Sequence, residues 1–402
     1  MNLFSQYKGL NKGFYIITLT VLINCAGSFV SVFLSLYLTS ILGFNVAYTG
    51  IIVSAYTLLH IPGSLVGGKL ADSYNRKNVM IASQFIMGLC FILAGFFLHS
   101  NFAIVALLIA NFCDGITDPA RSALEVDMTS PDDRQVAFSL LYQAYNVGFA
   151  IGPLLAGIFF NSYPQWLFWG NGVSLIVSIM IVAFFIPKDK LHNKNSKKET
   201  MGEKAVDGSI LKALFSRPQL LFFSVGTLLI AISYKQISFV LPLQFNMKFA
   251  SNGARIYGIV AAANAIMVIL LNPVVLSISK KNPALKNILI AVLTYAIAFL
   301  LFGFAKLPWQ FLALTLLYTI GEMLLNNNSK AYQNNNTPVN FRGRFNAVLP
   351  LFKTSGMMLA PILGGVFLER FSFMTVWIIA ASLVLLTYFI YLYIYRKYEK
   401  YK

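Results

Sequence analysis

Charge is what this chain has least of. Of its 402 residues, 11% are Asp, Glu, Lys or Arg, where a soluble protein of this size carries about 25%. Acid is scarcer than base, with 14 Asp and Glu against 31 Lys and Arg. The three cysteines, Cys25, Cys90 and Cys113, each fall inside an apolar run, so neither a disulfide nor a metal-ligand spacing is expected. No G-x-x-x-x-G-K-[ST] loop occurs, which removes ATP as a driving force. No nucleophile–base pair and no metal constellation emerges either. The chain is therefore expected not to be an enzyme and to use no cofactor. The first apolar stretch is too long for a secretory signal and lacks a small-residue cleavage site, so no cleavable signal is expected.

What is present is apolar. Hydrophobic residues make up 57% of the chain, 35 of its residues are Phe, and the mean hydropathy is +0.69. These values describe a polytopic helical membrane protein surrounded by a lipid bilayer. The net charge of +17 is not a nucleic-acid signature, because the basic residues gather in short loops between apolar spans. Twelve stretches of membrane-spanning length can be drawn, at 13–40, 48–71, 78–99, 103–128, 136–161, 164–186, 219–247, 254–279, 287–306, 308–333, 344–369 and 373–395. The loops after even-numbered spans are basic, with Arg76 and Lys77, Arg134, residues 187–217, and Lys280 and Lys281 among them. By the positive-inside rule both termini are cytoplasmic, in a multi-pass protein of the cell membrane. Residues 187–217 form a Lys-rich polar linker whose last part has a short amphipathic pattern. It divides the chain into an N-terminal six-helix bundle, 1–186, and a C-terminal one, 218–402.

The fourth span carries an unusual load of charge. Asp114, Asp118, Arg121 and Glu125 stand at i, i+4, i+7 and i+11, one face of a helix. Each charge costs roughly 2.5–3.5 kcal/mol near mid-bilayer, so this face must look onto partners or water. Arg121 has Asp118 and Glu125 within reach along its own helix. A shift of 208 positions carries Arg134, Gly148, Pro153 and Gly157 onto Arg342, Gly356, Pro361 and Gly365, and Asp114 onto Glu322. That register describes a duplicated protein with an acid at one depth in each half. The C-terminal half adds two buried cations, Lys235 and Lys353, and Asn326 near the inner end of its acidic span. His60, ahead of Pro62 and Gly63, can titrate near neutrality, although a lone helical His is often only hydrogen-bonded.

Three motifs carry a family resemblance. Gly67-Gly68-Lys69-Leu70-Ala71-Asp72-Ser73-Tyr74-Asn75-Arg76-Lys77 resembles the G-x-x-x-D-R-x-G-R-K/R loop of the major facilitator superfamily, departing at Ser73 and Asn75. Gly148-x-x-x-Gly152-Pro153-x-x-x-Gly157 resembles the fifth-helix motif of antiporters in that superfamily. Tyr318-Thr319-Ile320-Gly321-Glu322 resembles the tenth-helix motif of its multidrug/proton antiporter branch. Two positions depart from those patterns: Leu141 replaces an expected carboxylate and Asn111 an expected arginine. No E-x-x-E-R sequence marks the first span, unlike the proton-coupled oligopeptide family.

The resemblance implies a major facilitator fold, all-α with twelve transmembrane helices in two pseudo-symmetric six-helix bundles, acting as a monomer on a small-molecule substrate. It implies that spans 3, 6, 9 and 12 face outward. It implies a cytoplasmic gate built from Gly68, Asp72, Arg76, Asp127 and Arg134. Coupling by Asp114 and Glu322 follows, with Asp118, Arg121, Glu125, Lys235, Lys353, His60 and Asn326 in the substrate cavity. The favoured activity is proton-coupled efflux of small amphiphilic or cationic compounds by alternating access. Two alternatives stay open. Lys235 and Lys353 suit a dedicated transporter, chiefly an exporter, of a zwitterionic metabolite such as a metallophore, peptide or amino-acid derivative. A non-transporting membrane sensor is the alternative of another class.

Overall fold

A helix that must live in hydrocarbon satisfies its own backbone, and every long element here is one. The computed structural model describes residues 7–130, 133–186, 217–337 and 342–399; the expected amphipathic end of the 187–217 linker lies outside the described residues. In chain order the helices are α1 (Lys12–Ala26), α2 (Val30–Ser40), α3 (Val46–Ser73), α4 (Arg76–Phe96), α5 (Asn101–Asp127), α6 (Arg134–Ser162) and α7 (Gln165–Phe185). The second half supplies α8 (Pro218–Phe249), α9 (Gly253–Ser279), α10 (Ala284–Phe302), α11 (Pro308–Asn336), α12 (Arg342–Arg370) and α13 (Phe373–Ile394). Asparagine and serine caps start several of them: the Asn11, Asn75, Ser100 and Ser372 side chains accept from Gly13, Asn78, Phe102 and Thr375 amides. Among the described residues ten segments are long and apolar enough to cross a membrane, and one of them, Pro218–Ser279, contains both α8 and α9.

The first span is not one helix. It breaks at Gly27, Ser28 and Phe29, where the Ser28 amide turns back to the Cys25 carbonyl and the Phe29 amide to that of Gly27. A Cβ on Gly27 would strike Ser174 of α7. The amide of Val30, which opens α2, donates to Asn171 Oδ1 on α7 at 3.3 Å. A neighbouring helix therefore supplies the cap that α2 lacks from its own residues.

The helices group into two compact units. The first comprises Met1–Phe44, Ala55–Ser196 and Phe245–Ile269, and the second Asn45–Ser54, Lys197–Gln244 and Leu270–Lys402. Each unit thus includes a helix end from the other half of the chain. Within the first, α6 lies against the start of α9: a Cβ on Gly157 would meet Ala254, and one on Gly258 the Pro153 carbonyl. Within the second, α12 lies against the start of α3: a Cβ on Gly365 would meet Val46, and one on Gly50 the Pro361 carbonyl. These two sets are again 208 positions apart. Gly148 and Gly356 repeat the pattern against α1 and α8, where Leu22 and Leu228 carbonyls leave no room for a side chain. Small residues let backbones touch where lipid gives helices no hydrophobic reason to associate.

Lys77 is not a solvated loop cation. It is 5% exposed, and its ammonium donates to the carbonyls of Ala183, at 2.9 Å, and Ile186 at the C-terminal end of α7. That placement satisfies orphan carbonyls and meets the negative end of the helix dipole.

Replacing Gly258 by Leu forces a side chain onto the Pro153 carbonyl, and overpacking of this kind costs about 1–3 kcal/mol. The purified variant is expected to melt several degrees below the wild type. Gly68→Ala, at a site with nothing within 4 Å of an added Cβ, is expected to melt no lower than wild type.

Candidate functional site

The charged face of α5 is met by α3. Gly63 and Gly67 of α3 press against Phe112, Gly115 and Ile116 of α5, with no space for a Cβ at either glycine. Close approach brings His60 Nε2 to 3.0 Å from Asp118 Oδ2 and 3.8 Å from Asp114 Oδ2. Arg121 pairs with Asp118 one turn earlier, and its Nε stands 3.8 Å from Glu125 Oε1. Both partners foreseen for Arg121 are therefore engaged. Glu125 is 4% exposed, and its Oε1 has no hydrogen-bond partner. Asn111, in place of the family's arginine, donates its amide to the Tyr56 carbonyl on α3.

Above this face lies a cavity of about 330 Å³. Asp114, Asp118 and Arg121 form its charged wall, and Asn24, Ser28 and Ser31 line it beside the break between α1 and α2. Gln84 and Phe91 of α4 and Asn171 of α7 complete it. The expectation that the third and sixth spans only face outward is corrected here. Those spans carry no charge toward the cavity, but they carry amides. The signal was a pair of polar residues in otherwise apolar helices. Glu125 does not line this cavity; it stands behind Arg121.

The second unit holds its own cavity, also about 330 Å³. Glu322 lines it and accepts a hydrogen bond from Tyr234 Oη of α8 at 2.8 Å. Asn326, Ser329 and Gln333 follow Glu322 along α11 and line the same wall. These positions are the 208-residue images of Asp114, Asp118, Arg121 and Glu125. The repeat thus covers a whole polar face, not one acid. Lys353 of α12 lines this cavity, and so does Lys330, two turns beyond Glu322. Lys330 was missed by sequence reasoning, although its spacing of eight from Glu322 and four from Asn326 places it on that face. Lys235 does not line the cavity. Asn327 and Asn328 turn away from it and bond Asn272 of α9 at 2.9 Å and Asn287 of α10 at 3.0 Å.

The gate residues are brought together in part. Arg76 pairs with Asp127. Asp72 is exposed and joins no ion pair among the described residues, so of the five expected gate residues Arg76 and Asp127 alone form an ion pair there. Arg134 Nε reaches Thr129 Oγ1 at 3.4 Å. Gly68 makes no close helix approach; Gly67 does. Among the described residues no three His, Cys, Asp or Glu side chains are placed to hold a metal ion.

A profile of the Major Facilitator Superfamily matches residues 16–348 and 257–402. The chain belongs to that superfamily of membrane transporters. It is 26% identical over 345 residues to "Uncharacterized MFS-type transporter YqjV" of Bacillus subtilis (strain 168), covering 84% of this chain and 82% of that one. It is 24% identical over 396 residues to the "Na(+), Li(+), K(+)/H(+) antiporter" of Planococcus maritimus, covering 92% of each. A crystal structure of a POT family transporter in complex with 5-aminolevulinic acid superposes with a TM-score of 0.80, at 15% identity, over 98% of both chains. That likeness concerns the fold.

Asp118 joins two partners on two helices, so Asp118→Asn leaves Arg121 with only the more distant Glu125. Breaking this partly buried ion pair from one side is expected to cost about 1–3 kcal/mol, below the ~3–5 kcal/mol of a fully buried pair because the carboxylate also meets the cavity. Thermal unfolding of the purified variant against wild type measures it.

Proposed function

We propose that this transporter exchanges protons for small cationic or amphiphilic compounds, exporting them across the cell membrane by alternating access of two six-helix bundles. The reading includes twelve spans, bundles at 1–186 and 218–402, cytoplasmic termini and action as a monomer. One observation carries it: an acid at the same register in each half, Asp114 and Glu322, lines a polar cavity in each unit. A carboxylate removed from water is neutralised either by a proton or by a cation, and not by both at once. Mutual exclusion of that kind is the chemical basis of antiport. The name of the Planococcus maritimus relative, a cation/proton antiporter, supports the same exchange. In this reading Arg76 and Asp127 latch the cytoplasmic side, with Asp72, Gly68 and Arg134 around them. Gly148, Gly152, Pro153 and Gly157 hold α6 tightly enough for the bundle to move as one body.

The experiment is substrate uptake into everted vesicles with and without a pH gradient, across a cationic and a zwitterionic panel. Asp114→Asn and Glu322→Gln are each expected to abolish gradient-driven uptake while expression is retained. Normal transport by both variants overturns the assignment.

A second reading rests on Lys330 and Lys353, which share a cavity with Glu322. Two ammonium groups beside one carboxylate suit a substrate that carries both charges. If they hold a substrate carboxylate, Lys353→Gln abolishes binding at every pH from about 5 to 8. If they only balance Glu322, the variant keeps binding in part of that range. Binding titrations across that range separate the two.

A further inference from the structure

The cavity of the first unit contains more oxygen than its own hydrogen bonds consume. Gln84, on α4, is 2% exposed and lines that cavity. Its Oε1 is buried and has no hydrogen-bond partner. Leaving a buried acceptor unpaired is costly, and this one belongs to a residue that lines an open cavity. Across the same space stand Asp114 and the hydroxyls of Ser28 and Ser31.

The charges facing the cavity do not cancel. α5 contributes Asp114, Asp118 and Arg121, and α3 contributes Tyr56; His60 of α3, expected in the cavity, does not line it and lies 3.0 Å from Asp118 and 3.8 Å from Asp114. The Cys25 thiol belongs to α1, Tyr145 of α6 faces Arg121, and α4 and α7 present only amides and apolar groups. Arg121 is spent on Asp118. Asp114 has no guanidinium within ion-pair distance, and its contact with His60 at 3.8 Å carries charge only when the imidazole is protonated. The backbone adds to the negative charge of Asp114. α1 ends at Ala26, beside the cavity-lining Cys25 and Ser28, and the C-terminal end of a helix carries a partial negative charge. A helix interrupted inside a membrane is a form that holds alkali cations.

We propose that this cavity binds one partly hydrated monovalent alkali cation, held by Asp114, Gln84 Oε1 and the serines at the broken first span. Calcium is disfavoured, since it takes about 6–8 oxygen ligands, and magnesium, since it usually joins its one or two carboxylates to substrate phosphates. Soft transition metals are disfavoured by the absence, among the described residues, of a His, Cys and carboxylate cluster. Water fills the rest of the space. The site deepens the exchange reading above, because a proton on Asp114 and a cation beside it exclude one another.

The test uses the full-length purified protein and sodium as the probe. Binding of radiolabelled sodium is measured at constant ionic strength, made up with N-methylglucamine chloride, and thermal unfolding is followed in the same titration. Saturable binding, a rise in melting temperature with sodium and not with N-methylglucamine, and weaker binding as the pH falls are expected. Asp114→Asn is expected to lose binding, and Gln84→Leu to weaken it about tenfold. Potassium competition reports selectivity among alkali ions. No saturable binding to the wild type, or equal stabilisation by the two chlorides, overturns the proposal, whether or not the variants fold. Sodium binding without gradient-driven export would instead sink the exchange reading and leave this site standing. Export without sodium binding would do the reverse.

Discussion

Arg121 and its carboxylates sit on one face of a helix that must also cross hydrocarbon, and each charge left alone there costs roughly 2.5–3.5 kcal/mol. The local structure answers that cost. Asp118 takes both Arg121 and His60, Glu125 stands behind the guanidinium, and the glycines of α3 let the two helices close to the distance these pairs need. With those pairs made, Asp114 has no guanidinium within ion-pair distance and meets His60 at 3.8 Å. Its charge must be met by something that comes and goes. A transporter needs a group of this kind, whose occupancy is undecided until a ligand or a proton arrives.

The second unit repeats the scheme with other chemistry. Where α5 carries Asp, Asp, Arg and Glu, α11 carries Glu322, Asn326, Ser329 and Gln333. The charge is stripped to one acid, held by Tyr234, and cations come from Lys330 and Lys353. Duplication has kept the geometry and the glycine contacts while the electrostatics diverged. The paired approaches of Gly258 to Pro153 and Gly50 to Pro361 show the backbone side of that duplication. Small residues and proline carbonyls stand at the same register in both halves.

Much of this was legible in the sequence. Span lengths, the charged face of α5 and the 208-residue register depend on local spacing, and spacing is what a sequence displays. The partner of Arg121 was legible because it lies on the same helix. What escaped depends on which helix faces which. Gln84 and Asn171 are single amides in apolar helices, and only the fold turns them toward the cavity. Lys77 read as a topology signal until α7 ended beside it. Gly67 and Gly68 are indistinguishable as neighbours in sequence, and only the rotation of α3 assigns the close contact to the first. The break at Gly27 was hidden because no proline and no charge interrupts 13–40; the Asn171 cap that stabilises it comes from a residue 141 positions away from Val30.

The central claim is that Asp114 and Glu322 each take up and release a proton inside the membrane. Infrared difference spectroscopy of the purified protein observes this directly, through the carbonyl stretch of a protonated carboxylic acid as the pH is raised. The account predicts that this band disappears from the wild type and is reduced by Asp114→Asn and, separately, by Glu322→Gln. A band of unchanged size in both variants would contradict it.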